Sequence, residues 1–253
     1  MPVIETKPVS SDNILDLYLL CTPEKEDYKN ASKESADLFL QKQKAGWKGL
    51  VLYDDQTPVG RVELHPLEES FATISGDNLY FLPCFWIKPQ YEKKRYGRKL
   101  MQELLKMARD RKGVVTLTAS GWMPEGFFYK FGFEKVQEKG PVQLLLKKNQ
   151  KDSFCQWFSP PFVPHNQKER INIDVVYNHS CPYILANWRN AIRKAREVTD
   201  KLELNFYLQK DRKDLEKFGE PNIYIDGETP FLGPAKEEEV ARILKEHLKR
   251  KGL

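Results

Sequence analysis

The chain has 253 residues, of which 40% are hydrophobic, a length that suits two modest domains or one large domain. Its formal net charge of +5 is too small for a nucleic-acid-binding module, and its four scattered cysteines fit neither a disulfide framework nor a zinc ribbon. No apolar run approaches membrane-spanning length, and the N-terminus carries no signal pattern. We therefore expect a cytoplasmic protein with no metal site and no nucleic-acid or membrane partner, while its oligomeric state stays open.

The first part of the chain alternates between strand and helix patterns. In chain order, these patterns predict a strand at 3–7, a helix from Ser11, a helix at 31–43, a hairpin of 50–53 and 59–64, a strand at 79–87, a helix after Gly97, a strand at 114–118, and a short helix with two strands that end near Leu146. This order predicts an α/β (α+β) domain over residues 1–147.

A basic loop joins the predicted strand at 79–87 to the helix after Gly97. Its charged side chains are Lys93, Lys94, Arg95, Arg98 and Lys99, which only Glu92 opposes. The free N–H groups at a helix N-terminus attract anions, and Gly97 lets a backbone approach a ligand closely. The layout therefore predicts a phosphate-binding loop.

Two motifs carry a family resemblance. The run Glu92-Lys93-Lys94-Arg95-Tyr96-Gly97 after Ile87-Lys88-Pro89 resembles motif A of the GNAT acetyltransferase superfamily, with Arg95 and Glu92 where that family usually has Gly and Arg or Gln. The run from Gly126 to Val136 resembles its motif B, a short helix that ends in Gly-Phe. The resemblance implies a GNAT fold with a mixed central sheet and an acetyl-CoA-dependent N-acetyltransferase.

The resemblance also implies where acetyl-CoA binds as cosubstrate. Pantetheine is expected along the backbone of Phe85, Trp86 and Ile87, and the pyrophosphate on the N–H groups of Lys94 to Lys99. The expected cofactor-binding loop residues are Lys93, Lys94, Arg95, Tyr96, Gly97, Arg98 and Lys99.

Acetyl transfer needs a base for the acceptor amine and an acid for the departing thiolate. Glu63 and His65 share one face of the hairpin strand, and Glu63 is the predicted base, although a surface strand residue is the alternative. The family often supplies a tyrosine acid where this chain has Phe128, so neighbouring Tyr129 or water takes that role. Cys84 is interpreted as a small buried residue.

The composition of the chain changes at residues 148–170, which are Pro-rich and are predicted to form a linker that packs on one or both domains. The patterns after it predict a strand at 171–177, a helix at 184–198, a strand at 202–208, a helix at 211–218, a strand from Pro221 with a returning partner at 229–232, and a helix at 236–249. This order predicts a second, thioredoxin-like domain over 171–253.

Two features of this second pattern resemble glutaredoxins, namely Cys181-Pro182-Tyr183 at a helix start and Pro221 before a strand. Small domains of this kind follow GNAT domains in YoaP-type acetyltransferases. The resemblance implies that Pro221 is cis and lies against Cys181. A second redox cysteine would stand at Ile184, so Cys181 has a monothiol role or the domain is a binding surface. We expect Cys181 to be the most reactive of the cysteines.

Two functions fit these residues. The first is transfer of acetyl from acetyl-CoA to an amine of a small-molecule acceptor, by direct attack on the thioester. The alternative is a thiol-binding or monothiol redox protein whose GNAT domain senses acyl-CoA.

Overall fold

The computed structural model describes residues 3–229, 231 and 233–253, and the chain divides into two compact units. The first unit contains the residues up to Pro23 together with Ala36–Phe158. The second contains Glu24–Ser35 and Ser159–Leu253, so one helix, Glu26–Gln43, contributes residues to both.

The described residues of the first unit build an eight-stranded sheet in the order β1-β2-β3-β5-β7-β9-β8, with β6 paired to β3. The strands are β1 Ile4–Pro8, β2 Lys48–Asp54, β3 Thr57–Pro66, β4 Ile74–Gly76, β5 Leu79–Leu82, β6 Phe85–Ile87, β7 Gly113–Ala119, β8 Glu134–Lys139, β9 Val142–Lys148 and β10 Cys155–Trp157. The helices are α1 Ile14–Leu19, α2 Glu26–Gln43, α3 Tyr96–Met107 and α4 Glu125–Tyr129. The β5–β7 pair is parallel and the other pairs are antiparallel, so the predicted mixed central sheet is confirmed.

The strand predicted at 79–87 is broken in two. β5 pairs with β7 as far as Leu82 opposite Thr116, whereas β6 pairs with β3. Pro83 stands at the break, where it has no N–H to give to a ladder. As a result the sheet opens between β6 and the last residues of β7.

The two faces of the sheet carry different side chains. Val62 and Leu64 of β3 belong to a cluster with Leu100 and Leu104 of α3. Residues 61, 63 and 65 of β3 lie on the opposite face, because side chains alternate along a strand. That face bears three buried polar residues on a single strand.

Some predicted boundaries shift. Helix α2 begins at Glu26 rather than at residue 31, and the early Glu26 and Asp27 suit the positive end of its dipole. β10 pairs with β4 and lies inside the segment interpreted as a linker, where proline was expected to prevent sheet pairing. Both strands have three residues, which is too short for a periodic pattern to reveal.

The described residues of the second unit form a three-stranded sheet in the order β12-β11-β13. Its elements are β11 Ile171–Tyr177, α5 Pro182–Val198, β12 Leu202–Leu208, α6 Arg212–Phe218, β13 Asn222–Ile225 and α7 Glu237–Lys251. β12 runs parallel to β11 and β13 antiparallel. Residues 230 and 232 of the predicted returning strand lie outside the described residues, and the thioredoxin-like assignment stays a prediction.

The expected cis peptide bond before Pro221 is wrong. Among the described residues every peptide bond is trans. The trans form is the lower-energy state even for X–Pro bonds, and the resemblance to glutaredoxins was the reason to expect the exception.

None of the helices in the described part of the chain is both long and apolar enough to span a bilayer.

Candidate active site

The backbone of β6 faces an opening in the sheet. The Cys84 carbonyl accepts from Glu63 N, and the Lys88 N–H donates to Val59, so both groups point towards β3. Backbone groups alternate in direction along a strand, so those of Phe85 and Ile87 point away from β3, into the opening. No described strand pairs with β6 on that side. Free N–H and C=O groups therefore line one wall of the opening, on two of the three residues expected to hold pantetheine.

The basic loop ends at the N-terminus of α3. A 3-10 turn at Pro89–Tyr91 precedes it, and both Lys93 (φ 61°) and Arg95 (φ 64°) adopt the left-handed conformation. Such a conformation costs a non-glycine residue energy, and successive N–H groups in this kind of loop can form an anion-binding concavity. Arg95 is the N-cap of α3 and has no side-chain capping bond. The first N–H groups of the 12-residue helix are thus available to an anion.

Some side chains of the loop contact other residues, whereas others face solvent. Lys99 Nζ donates to the Ile4 carbonyl, and Tyr96 OH donates to Asp54 at 2.7 Å. That hydrogen bond raises the pKa of Tyr96 to about 12, so its hydroxyl stays protonated. Lys94 lies over the Tyr91 ring, with Nζ 4.8 Å from the centroid. The remaining basic side chains that face solvent are Lys93, Arg95 and Arg98.

Glu63 lies in a buried polar cluster and is 2% exposed. Its carboxylate pairs with the guanidinium of Arg61, which is equally buried. Tyr18 OH donates to Glu63 Oε2 at 3.2 Å, and His65 Nε2 lies 3.0 Å from the same oxygen. The carboxylate thus has three side-chain partners, so a surface location of Glu63 is excluded. Arg61, Glu63, Tyr18 and His65 are called the Glu63 cluster below.

His65 is held as a neutral ring. Complete burial and the nearby charge of Arg61 set its pKa well below the ordinary value. An ionised carboxylate only accepts hydrogen bonds. Nε2 of the neutral ring therefore carries a hydrogen atom and donates it in a hydrogen bond to Glu63. The ring also stacks on Trp47, with centroids 3.3 Å apart.

Cys21 extends the cluster from the loop after α1. Arg61 Nη1 donates to Cys21 Sγ at 3.0 Å. The pKa of Cys21 falls to about 5, because Cys84 and then Arg61 hydrogen-bond to its sulfur and outweigh the effect of burial. Cys21 was not predicted as a site residue, and no spacing in the sequence marks it.

The motif B helix, α4, places its aromatic residues as the sequence suggests. Phe128 is 1% exposed, and Phe127 packs on Phe85 of β6 with centroids 5.1 Å apart. Tyr129 is 42% exposed, and its hydroxyl donates to Gln143 Oε1 at 2.8 Å. The only hydroxyl group of α4 is therefore accessible and already oriented.

Cys181 belongs to the second unit. It is the half-buried N-cap of α5, with Pro182 in the first turn. Nearby, Glu34 makes a bidentate pair with Arg189 at 2.6 and 2.7 Å, and burial lowers the pKa of His179. That Cys181 is the most reactive of the cysteines stays a prediction.

The structure thus brings Glu63 and β6 together, because Glu63 lies opposite Cys84, one residue before β6. It adds Arg61, Tyr18 and Cys21, which the sequence reasoning missed. A usable signal existed for Arg61 alone, since it alternates with Glu63 and His65 along one strand.

Comparison with known protein families finds a match that lies mostly in the first unit. Residues 12–133 match the model of the acetyltransferase (GNAT) family. Among curated proteins no match was found.

Several solved structures resemble the chain. The PaiA N-acetyltransferase from Thermoplasma acidophilum in complex with coenzyme A is 19% identical, with a TM-score of 0.44 over 58% of this chain and 99% of that one. A GNAT-family acetyltransferase from Staphylococcus aureus is 13% identical, with a TM-score of 0.43 over 58% of this chain and 100% of that one. YncA from Salmonella typhimurium, solved with acetyl-CoA, is 13% identical, with a TM-score of 0.44 over 58% of this chain and 95% of that one.

The family match covers β2, β3, the opening beside β6, the basic loop and α4. The model of the GNAT acetyltransferase family thus matches residues 12–133, and the protein is an acyltransferase.

Proposed function

We propose that the protein transfers the acetyl group of acetyl-CoA to an amine of a small molecule. The observation that carries the proposal is the opening beside β6, which leads directly to the free N-terminus of α3. Phe85 and Ile87 offer backbone groups to the pantetheine amides, and the N–H groups at 94–99 face the pyrophosphate. Lys93, Arg95 and Arg98 add positive charge at the solvent side of the loop.

In the proposed reaction the amine nitrogen attacks the thioester carbonyl carbon. A C–N bond forms, the C–S bond breaks and CoA leaves as a thiolate. The amine loses one proton and the thiolate gains one, so the site needs both a base and an acid.

Glu63 is the proposed proton acceptor. It lies on the same face of the sheet as Cys84, just before the β6 wall. Because it is 2% exposed, we propose that it takes the proton through an ordered water rather than by direct contact with the amine. Arg61, Tyr18 and His65 hold its carboxylate in place.

Acetyl-CoA binding and CoA release test this function. Calorimetry should show binding of acetyl-CoA, and mass spectrometry should detect CoA and an acetylated product when the protein meets a panel of amines. Binding of acetyl-CoA without acetyl transfer to any amine would favour the acyl-CoA-sensing alternative. Lack of acetyl-CoA binding would contradict the proposed site.

Glu63→Gln tests the base, because the amide keeps the shape and removes the proton acceptor. We expect turnover to fall on the order of a hundredfold, with an unchanged KM for acetyl-CoA. Glu134→Gln on β8 is the matched control, since that carboxylate is exposed. Circular dichroism must show that both variants are folded, and an unchanged turnover in folded Glu63→Gln would remove Glu63 from the mechanism.

Tyr129 is the proposed acid for the thiolate, because Phe128 has no proton to donate. Tyr129→Phe should reduce turnover without weakening acetyl-CoA binding. The matched variant Tyr91→Phe removes a hydroxyl from the loop instead. If Tyr129→Phe turns over at the parent rate while chemistry is rate-limiting, water is the acid.

A further inference from the structure

Two cysteines from distant parts of the chain meet beside the Glu63 cluster. Cys21 follows α1, and Cys84 stands at the break between β5 and β6. The Cys84 thiol hydrogen-bonds to Cys21 Sγ, which also accepts from Arg61 Nη1 at 3.0 Å. Neither cysteine is in a disulfide, and both residues are half-buried.

The sheet register explains why the pair lies next to Glu63. The N–H of Glu63, on β3, donates to the carbonyl of Cys84, just before β6, at 3.3 Å. Residues opposite one another in an antiparallel pair place their side chains on the same face. Cys84 therefore shares a face with Glu63 and Arg61, and Cys21 approaches that face from the loop after α1.

The charges around Cys21 favour its thiolate. The Cys84 thiol and then the guanidinium of Arg61 stabilise a negative sulfur, which lowers the pKa of Cys21 to about 5. The protonated form donates a long, weak hydrogen bond to the Tyr18 carbonyl at 3.7 Å. By contrast, burial raises the pKa of Cys155 to about 12. The surroundings of Cys21 therefore favour the thiolate, the form that reacts with oxidants, whereas burial favours the neutral thiol of Cys155.

We propose that Cys21 and Cys84 form a peroxide-sensitive dithiol that closes into a disulfide beside the active site. The Cys21 thiolate attacks one oxygen of hydrogen peroxide, the O–O bond breaks, and a sulfenic acid and hydroxide form. The Cys84 sulfur then attacks the Cys21 sulfur, the S–O bond breaks and water leaves. Two thiols lose two electrons in total, and one peroxide becomes two waters.

The disulfide has a consequence for acyl transfer, which rests on the proposed function. Bond formation draws the two sulfur atoms to about 2.0 Å, closer than any hydrogen-bonded contact. Cys84 precedes the proposed pantetheine strand directly, so the first residue of that strand shifts with it. Oxidation also removes the thiolate that shares Arg61 with Glu63. We expect turnover to fall on the order of a hundredfold, the loss typical of reacting groups displaced by about an ångström.

Peptide mapping of the full chain tests the site without any transfer assay. The reduced protein is treated with hydrogen peroxide, alkylated and digested without reduction. We expect a Cys21–Cys84 cross-linked peptide, lighter by two hydrogen atoms, that dithiothreitol releases. Cys84→Ser should lose the cross-link and leave a sulfenic acid on Cys21 that dimedone traps. Cys181→Ser, another half-buried cysteine variant, should keep the cross-link.

Two results would overturn the proposal. If Cys21 and Cys84 stay alkylatable while another cysteine is oxidised, the dithiol assignment is wrong. If the cross-link forms and acetyl transfer continues at the parent rate, the disulfide is not coupled to the active site. Because mapping needs no acceptor, failure of the proposed acyl transfer would not be mistaken for failure of the dithiol.

Discussion

Gly97 is the second residue of α3 and lies at the point where the basic loop meets the helix. A Cβ atom at this position would lie 3.4 Å from Phe127 Cε2, which is an ordinary van der Waals contact. The local fold therefore accepts a methyl group. A longer, acidic side chain would instead lie among the N–H groups that are proposed to hold phosphate.

We predict that Gly97→Glu abolishes acetyl-CoA binding. The carboxylate competes with the pyrophosphate for the helix N-terminus, and like charges repel. Calorimetry should detect no binding, while Gly97→Ala should bind within about threefold of the parent because its methyl group has space. Equal binding by Gly97→Glu and Gly97→Ala would show that the pyrophosphate lies elsewhere.

At the level of elements, the β5–β7–β9 junction fixes the opening of the sheet. Gly113 begins β7, pairs with Leu79 on one side and with Lys148 on the other, and is buried. A Cβ atom there would lie 2.5 Å from the Lys147 carbonyl oxygen. Since that oxygen belongs to the backbone of β9, the strands must separate to admit a side chain.

We predict that Gly113→Ala lowers the free energy of unfolding by about 1–3 kcal/mol, the usual cost of overpacking. Gly126→Ala on α4 is the matched control, because its Cβ would meet no atom within 4 Å. Alanine there should leave stability unchanged or raise it by up to about 1 kcal/mol, since it favours helix. Urea denaturation of the three proteins measures both effects, and equal midpoints would refute the steric argument.

At the level of the whole molecule, buried neutral histidine makes stability depend on pH. Burial lowers the pKa of His65 in the folded state, so near and below its ordinary value the unfolded chain binds a proton that the folded chain does not. The contribution of His65 is therefore fully present above about pH 6.5 and is lost as the pH falls below it.

We predict that the free energy of unfolding decreases between about pH 7 and about pH 5, by at most about 1.4 kcal/mol per pH unit from His65. Urea denaturation at several pH values should show this slope. His65→Gln cannot take up the proton, so it should have a smaller slope even if its stability is lower at every pH. The same slope in parent and variant would mean that other groups cause the dependence.

Much of the fold is readable from the sequence because it depends on local patterns. The strand, basic loop and helix around residues 87–99 follow from periodicity, proline and charge, and α3 begins one residue before Gly97. The buried Phe128 beside an exposed Tyr129 follows from helical spacing. The mixed sheet is implied by the GNAT resemblance, which the runs around Gly97 and Gly126 carry without any long-range contact.

The candidate site depends on contacts that the sequence does not encode locally. The break at Pro83 turns one predicted strand into two, and only the pairing of β6 with β3 shows that Phe85 and Ile87 face an opening. Likewise, Tyr18 and Cys21 reach Glu63 and Arg61 from α1 and the loop that follows it, and Cys84 reaches Cys21 from the break between β5 and β6. The positions of most helices and strands, and of the basic loop before α3, are fixed by the sequence alone, because short-range sterics and periodicity specify them. The tertiary structure decided which side chains share a buried face, because strand register and long-range packing bring together residues that no spacing connects.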